Sequence, residues 1–176
     1  MKVYIFYISL LLLTGILASF ITKRKAKATI YITHTFSYCK GVAPTHEEMM
    51  NWKKPIAYSG KKLYLKKGEI NDPDGKILNI YTTDENGLIS LSLPKGLYYL
   101  VCEEKKDRSF YKRLVTNFSN KSSHRVDLEC LDKWLQTPDI IVDLRKVKGV
   151  EVSHNFHEPC SWNKNPCTQY FGPLPP

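Results

Sequence analysis

The stretch TTDENGLISLSLPKGLYYL, residues 82–100, holds two short apolar segments together with the turns beside them. Asn86-Gly87 offers the left-handed positions of a tight hairpin, and Pro94-Lys95-Gly96 is a second turn sequence. Apolar residues alternate with polar ones between and after these turns, which is the pattern of half-buried strands. The stretch therefore predicts strands at 87–93 and 96–103. Their expected inward side chains are Ile89, Leu91, Leu93, Leu97, Tyr99 and Val101.

The same alternation recurs on both sides of this stretch and predicts further strands. Their ranges are 28–36, 61–67, 76–83, 139–146 and 149–157. Short strands joined by short turns favour an antiparallel sheet over βαβ units. The side chains expected on the inner faces are Ala28, Ile30, Ile32, His34, Phe36, Leu63, Leu65, Leu78, Ile80, Ile140, Val142, Leu144, Val150, Val152, His154 and Phe156.

Two segments have helical rather than strand patterns. Thr45 and Glu48 form a capping box, which predicts a short helix at about 45–53 that buries Met49 or Met50 and Trp52. Residues 123–135 place apolar side chains on one helical stripe. We therefore expect a partly helical insertion at 104–138, packed on the sheet. The side chains on its stripe are Val126, Cys130, Leu131, Trp134 and Leu135.

Charge is unevenly distributed along the 176 residues, which carry a formal net charge of +9. Residues 1–27 contain five basic residues and no acidic one, and so contribute more than half of this charge. The remainder has 21 basic and 17 acidic side chains without a basic stripe. This is an ordinary solvated surface, and we expect no nucleic-acid partner.

The N-terminal segment is the clearest indication of where in or outside the cell the protein is located. Residues 3–21 are 19 uncharged, mostly apolar residues, a length between a signal-peptide core and a membrane-spanning helix. We therefore interpret 1–27 as a signal peptide or an N-terminal membrane anchor with a hydrophobic helix. The remainder should be extracytoplasmic, whether periplasmic, at the cell surface or secreted. Its predicted parts are a domain at 28–157 and a Cys- and Pro-rich tail at 158–176.

The order of three sequence blocks resembles a known family of domains. The blocks are GKKLYL at 60–65, TTDENGLISL at 82–91 and LPKGLYYL at 93–100. They resemble the carboxypeptidase-regulatory-like domain, a prealbumin-like (transthyretin-like) β-sandwich, over about residues 55–103. The resemblance implies a seven-strand Greek-key β-sandwich that serves exported bacterial proteins as a non-catalytic accessory or adhesive module.

Five cysteines are compatible with two disulfides and one free thiol in an oxidising compartment. Cys160 and Cys167 form the most natural local pair, and Cys102 with Cys130 could tie the insertion to the sheet. Cys39 is then unpaired, or competes for Cys160 or Cys167. Alternatively, Cys102 and Cys130 are simply small buried hydrophobic residues.

A metal site is a second hypothesis. If strands 28–36 and 149–157 are neighbours, histidine and cysteine side chains could converge on a soft site for Cu or Zn. No established ligand motif supports this, and our primary expectation is no cofactor, with His34 and His154 as hydrogen-bonded histidines at the edge of the core. The candidate ligands are His34, Cys39, His157, Cys160 and Cys167.

No motif of a known catalytic class is present, so we predict a non-catalytic binding or accessory module. The alternative is a periplasmic Cu- or Zn-binding protein. A third reading is a thiol enzyme in which Cys39 is activated by His34 or His157. Aromatic residues of the tail, Trp162, Tyr170 and Phe171, could dock to a protein partner or cap the open end of the sandwich.

Overall fold

The computed structural model describes residues 25–39, 42–119, 121, 123–160 and 165–172. These residues fold as a mainly β structure with three α-helices and one 3-10 turn. The helices are α1 (His46–Trp52), α2 (Ser109–Ser119) and α3 (Leu128–Gln136), and the 3-10 turn is Glu103–Lys105. The strands are β1 (Lys25–Phe36), β2 (Ile56–Ala57), β3 (Lys62–Lys67), β4 (Asn79–Thr82), β5 (Leu88–Pro94), β6 (Leu97–Val101), β7 (His124–Val126), β8 (Ile140–Asp143), β9 (Gly149–Glu158) and β10 (Thr168–Tyr170).

The first sheet is organised around β1. Strand β5 pairs antiparallel with residues 25–31 of β1, and β2 continues the same edge at Thr33 and His34. Strand β9 occupies the other edge and runs parallel to β1 from Lys27 to Phe36. The expectation of a purely antiparallel sheet is wrong for this pair. Short turns constrain only consecutive strands, and β1 and β9 are separated by most of the chain.

The second sheet has the order β4-β3-β6-β8, and all of its pairs are antiparallel. Strands β4, β5 and β6 therefore alternate between the sheets, although they are consecutive in sequence. The predicted hairpin at Asn86-Gly87 is wrong, because this turn carries the chain from the second sheet to the first. Gly87 has φ +73°, and a Cβ there would lie 2.2 Å from the Ile32 carbonyl oxygen, so the close crossing requires glycine.

Side chains from both sheets form one buried cluster, which confirms most of the inward positions predicted by alternation. Apolar burial is the main favourable contribution in such a core. The cluster contains Ala26, Ala28, Ile30, Ile32, Leu63, Leu65, Ile89, Leu91, Tyr98, Leu100, Cys102, Ile140, Val142 and Leu144.

Phe36, at the end of β1, is 50% exposed, so its predicted burial is wrong. Two further strands differ from the predicted facing. In β6, Leu100 joins the main core, whereas Tyr99 and Val101 are buried on the opposite face with Tyr64. In the 76–83 segment, Leu78 and Ile80 are about half exposed, so their predicted burial is wrong. Strand β4 lies at the edge of its sheet, which leaves these side chains without a covering layer.

The capping box of α1 is confirmed. Thr45 Oγ1 accepts from the Glu48 backbone N–H, and the Glu48 carboxylate accepts from the Thr45 backbone N–H. The helix buries none of its residues, so the predicted burial of Met49 or Met50 is wrong. Trp52 is half buried, and its ring centroid lies 4.4 Å from that of Tyr38.

Between β6 and β8 the chain forms the 3-10 turn, α2, β7 and α3, which we call the insertion. The single helix predicted at 123–135 is instead a strand followed by a helix, because Asp127 caps α3 by accepting from the Cys130 N–H. The insertion buries few apolar side chains, namely Leu114, Leu131 and Leu135. The tail adds β10 to β7.

The predicted signal peptide or anchor at 3–21 lies outside the described residues. Strand β1 begins at Lys25, so the last three residues of the predicted 1–27 segment are part of the first sheet, where Ala26 is buried. Among the residues that the structure describes, no helix is long and apolar enough to cross a membrane.

Candidate functional site

One disulfide lies just beyond the end of the first sheet, and a second joins α3 to the tail. Cys39 bonds to Cys160, and Cys130 bonds to Cys167, while Cys102 is a buried free cysteine. The predicted pairs Cys160–Cys167 and Cys102–Cys130 are therefore wrong. Disulfides are typical of an oxidising, extracytoplasmic environment.

Strand pairing explains these connections. The parallel pairing of Phe36 with Glu158 brings the chain after β1 beside the chain after β9, and Cys39 and Cys160 follow directly. The pairing of β10 with β7 likewise places Cys167 next to α3. The backbone N–H of Asp127 donates to the Cys167 carbonyl at 2.9 Å.

Aromatic rings gather at the end of the first sheet. The ring of His34 stacks on that of Tyr58 with 4.1 Å between centroids, and Tyr58 contacts Phe156 edge-on at 6.0 Å. The Lys61 ammonium lies 4.8 Å from the centroid of Tyr58 and 4.9 Å from that of Phe156. This is cation–π geometry with both rings.

Tyr58 links this aromatic group to a carboxylate. Its hydroxyl donates to Glu158 Oε1 at 2.6 Å, and the Lys61 ammonium donates to the same hydroxyl at 3.5 Å. Burial and the Glu158 carboxylate raise the pKa of Tyr58 well above its ordinary value. Tyr58 therefore stays protonated and works as a donor.

A cavity of about 330 Å³ lies beside this group, and we call it the sheet-end cavity. Rings from the first sheet and the insertion face it, namely Phe110, Trp134 and Phe156. Three of its charged lining residues are Lys61, Glu104 and Glu158. The remaining lining residues are Cys102, His157, Pro159, Asn165 and Pro166.

Tail residues next to the disulfides also line this cavity. One of them, Pro159, directly precedes Cys160, and two others, Asn165 and Pro166, directly precede Cys167. Each of these cysteines is bonded to a cysteine elsewhere in the chain. The tail is thereby fixed to the first sheet at one point and to α3 at the other. Part of the tail thus lines the cavity. Of the residues predicted to cap the sandwich, Tyr170 and Phe171 are exposed and do not line it, and Trp162 lies outside the described residues.

The Trp134 ring packs against the ammonium of a buried ion pair. Lys105 Nζ lies 2.7 Å from Asp139 Oδ1, with side-chain exposures of only 7% and 11%, and donates to the Thr137 carbonyl at 3.1 Å. The same ammonium lies 4.9 Å from the ring centroid of Trp134. These contacts orient the Trp134 wall of the cavity.

The free thiol of Cys102 is not activated. Its residue is 8% exposed, and burial, with the nearby carboxylates of Asp139 and Glu104, raises its pKa well above the ordinary value. A thiol in this environment stays protonated and is a weak nucleophile. Cys39, the predicted nucleophile of the thiol-enzyme hypothesis, is bonded to Cys160.

The five predicted metal ligands do not converge on one centre. Cys39, Cys160 and Cys167 are in disulfides, so none offers a thiolate. His157 hydrogen-bonds with Ser37 Oγ at 2.8 Å. Within the described ranges, no group of three or more His, Cys, Asp or Glu side chains is arranged to hold a metal ion.

The two inward histidines are half buried, at the edge of the core. Burial lowers the pKa of His154, whose ring lies 4.5 Å from that of Phe156. His34 Nδ1 is buried without a hydrogen-bond partner among the described residues. The prediction that His34 is hydrogen-bonded is therefore wrong for this nitrogen.

Comparison with known proteins places this chain in no family. No family model matches it. No curated protein matches it either. A solved structure, the TIE protein of Bacillus anthracis, is 12% identical, and the similarity covers 76% of this chain and 17% of that chain with a TM-score of 0.34. That similarity shows neither fold nor function.

Sequence reasoning missed the residues that build the sheet-end cavity. Phe156 was expected on the inner face of its strand, but nothing predicted that Tyr58, Lys61 and Trp134 would meet beside it. The available signal was Glu158-Pro159-Cys160 directly after a strand, since a proline stops the strand and a cysteine there can fix the chain that follows.

Proposed function

We propose that this protein is a non-catalytic binding or accessory module that works outside the cytoplasm, and that the sheet-end cavity is its binding site. We assign it a Greek-key β-sandwich of the prealbumin-like type, exported or anchored through residues 3–21. The observation that carries the proposal is the cavity itself, which is lined by aromatic rings and by tail residues next to disulfide-bonded cysteines.

The chemistry of the cavity supports binding more than catalysis. Aromatic walls with a few placed polar groups are typical of small-ligand sites. Glu158 is engaged by the Tyr58 hydroxyl, and the Cys102 thiol is held protonated. No ion pair with a described residue engages the Lys61 ammonium, which rests on aromatic faces and can orient a ligand.

Titration with small aromatic probes tests this site. The full chain with both disulfides formed would be ¹⁵N-labelled and titrated with phenylacetate, benzamidine and benzyl alcohol, which differ in charge. We expect saturable shifts of Lys61, Phe110 and the Trp134 indole with at least one probe. Mass spectrometry should recover that probe chemically unchanged. The absence of a saturable shift, or conversion of the probe, would contradict the proposal.

A pair of matched variants locates the binding. Phe110→Ala removes a wall of the cavity, whereas Phe171→Ala removes a ring that is 64% exposed and does not line it. We expect the first change to weaken probe binding and the second to leave it unchanged. Equal effects would place the site elsewhere.

Cell fractionation tests the proposed location. Expressed with residues 1–27 included, the chain should be recovered outside the cytoplasm with one thiol that reacts only after unfolding, namely Cys102. Recovery in the cytoplasm with five reactive thiols would contradict the assignment.

A further inference from the structure

A second cavity adjoins the first along α2. Its volume is about 250 Å³, and we call it the helix cavity. It shares Phe110 and Asn165 with the sheet-end cavity, so the two form neighbouring compartments on one side of the insertion. Its other lining residues are Arg113, Leu114, Asn117, Phe118 and Lys121.

The charge of the helix cavity has one sign. Arg113 and Lys121 line it, and no carboxylate of a described residue does. Neither cation forms an ion pair with any described residue. Lys121 Nζ lies 5.1 Å from the ring centroid of Phe118, which keeps the ammonium at the cavity. Two unpaired cations of this kind favour an anionic group.

The neutral lining residues narrow the class of ligand. Asn117 and Asn165 each present a carboxamide, which donates and accepts hydrogen bonds, and this matches hydroxyl groups that do the same. Phe110 and Phe118 add apolar ring surface beside them. Hydroxyl groups, one apolar face and an acidic group are combined in the sugar ring of an acidic saccharide.

We propose that the helix cavity is an anion subsite for an acidic saccharide, with Arg113 and Lys121 binding its carboxylate or sulfate group. Asn117 and Asn165 bind its hydroxyls, and the shared residue Phe110 lets a longer saccharide continue into the sheet-end cavity. This inference rests on the proposed binding function and names the class of ligand.

An acidic peptide fits these observations less well. Its backbone amides could pair with the carboxamides, but its apolar side chains would need an enclosed apolar pocket, and this cavity places cations and amides at its walls. A nucleotide is disfavoured because the two disulfides are typical of compartments outside the reducing cytoplasm.

Calorimetric titration of the full, disulfide-bonded chain provides the test. The probes are a short oligogalacturonate, its methyl ester, an oligoglutamate peptide and inorganic phosphate. We expect the oligogalacturonate to bind and its uncharged ester to bind on the order of tenfold more weakly, because charge-assisted hydrogen bonds are lost. Tighter binding of oligoglutamate would show that the ligand is an acidic peptide. Binding of phosphate alone would show a general anion site. Either result would overturn the inference.

Variants of equal charge separate the subsite from general attraction. Arg113→Gln with Lys121→Gln should weaken oligogalacturonate binding on the order of tenfold or more. Lys112→Gln with Arg125→Gln removes the same charge from exposed positions that do not line the cavity, and should change binding little. An equal loss in both double variants would overturn the inference.

The two proposals fail in distinguishable ways. If aromatic probes shift Lys61 and Trp134 but no saccharide binds, only the saccharide inference fails. If neither kind of probe binds, the proposed binding function fails with it.

Discussion

The two sheets and the insertion with its tail are held together by different interactions. The sheets share a continuous apolar core in which most members are less than 5% exposed. The insertion buries three leucines, and is also joined to its surroundings by a disulfide, two ion pairs and hydrogen bonds from buried polar side chains. The difference shows that one chain can stabilise its two sheets by apolar burial and the insertion, which lines the cavities, by directed contacts. By directed contacts we mean disulfides, ion pairs and hydrogen bonds.

The directed contacts meet on the outer face of the second sheet. The Lys66 ammonium donates to the Asp72 and Lys106 carbonyls at 2.6 and 2.7 Å. The Asn71 side chain donates to the Lys105 carbonyl at 2.8 Å and the Leu135 carbonyl at 2.7 Å. Such contacts fix orientation, because a buried polar group that loses its partner is costly.

The largest effect is expected from a change in the apolar core. Leu100→Ala removes a fully buried side chain shared by both sheets, and should lower the free energy of unfolding by about 4 kcal/mol. Urea denaturation measures this loss. Ile80→Ala, at a side chain that is 51% exposed, is the control and should change stability by about 0.5 kcal/mol or less. Similar losses in both variants would contradict the assignment of the core.

A smaller effect is expected from the buried ion pair of the insertion. Lys105→Met leaves the Asp139 carboxylate buried without its cation and should cost about 3 kcal/mol. Adding Asp139→Asn removes the stranded charge but keeps an acceptor for the Cys102 N–H, so the double variant should recover at least half of the loss. Urea denaturation measures the free energy of unfolding of both variants. A double variant less stable than Lys105→Met would show that the pair is not the cause.

The smallest effect is a dependence of stability on pH through His154. Burial lowers its pKa in the folded state, so the unfolded chain binds the proton more readily. Stability should therefore fall as pH decreases below about 6.5, the value for an unfolded histidine. Lys105 opposes protonation of His154, and Asp139 favours it.

Thermal denaturation at pH 7.5 and 5.5 measures this dependence. His154→Gln should reduce the difference between the two melting temperatures, because it removes the histidine whose pKa is lowered by burial. The carboxylates with lowered pKa, such as Glu103 and Asp107, lose their contribution only at more acidic pH. An unchanged difference in His154→Gln would assign the pH dependence to another group.

Much of the framework could be predicted from the sequence, because alternation reports which side chains share a face. Ile30, Ile89 and Val142 are buried as this pattern requires. Alternation does not show which sheet a strand joins. The turn at Gly87, where the chain passes from the second sheet to the first, was therefore predicted as a hairpin. It also cannot show that Lys66 is buried, since that depends on carbonyl groups supplied by distant loops.

The candidate site could be predicted only in fragments. The neighbouring strands 28–36 and 149–157 were a conditional expectation, and the structure pairs them. The disulfide connections depend on parallel pairing and on the strand formed by the tail, and no local spacing of cysteines encodes either. The cavity walls come from the first sheet, the residues just before β3 and just after β6, the insertion and the tail, so only the folded chain brings them together.

Hydrogen exchange of the Cys130→Ser, Cys167→Ser protein tests the central claim that directed links, not apolar burial, hold the insertion and tail. Loss of this disulfide should accelerate amide exchange in α3, β7 and β10 by at least about tenfold, because local opening becomes easier. Exchange in β1, β3 and β6 should remain as slow as in the parent protein. Equal acceleration in the sheets and the insertion, or none in either, would contradict the account.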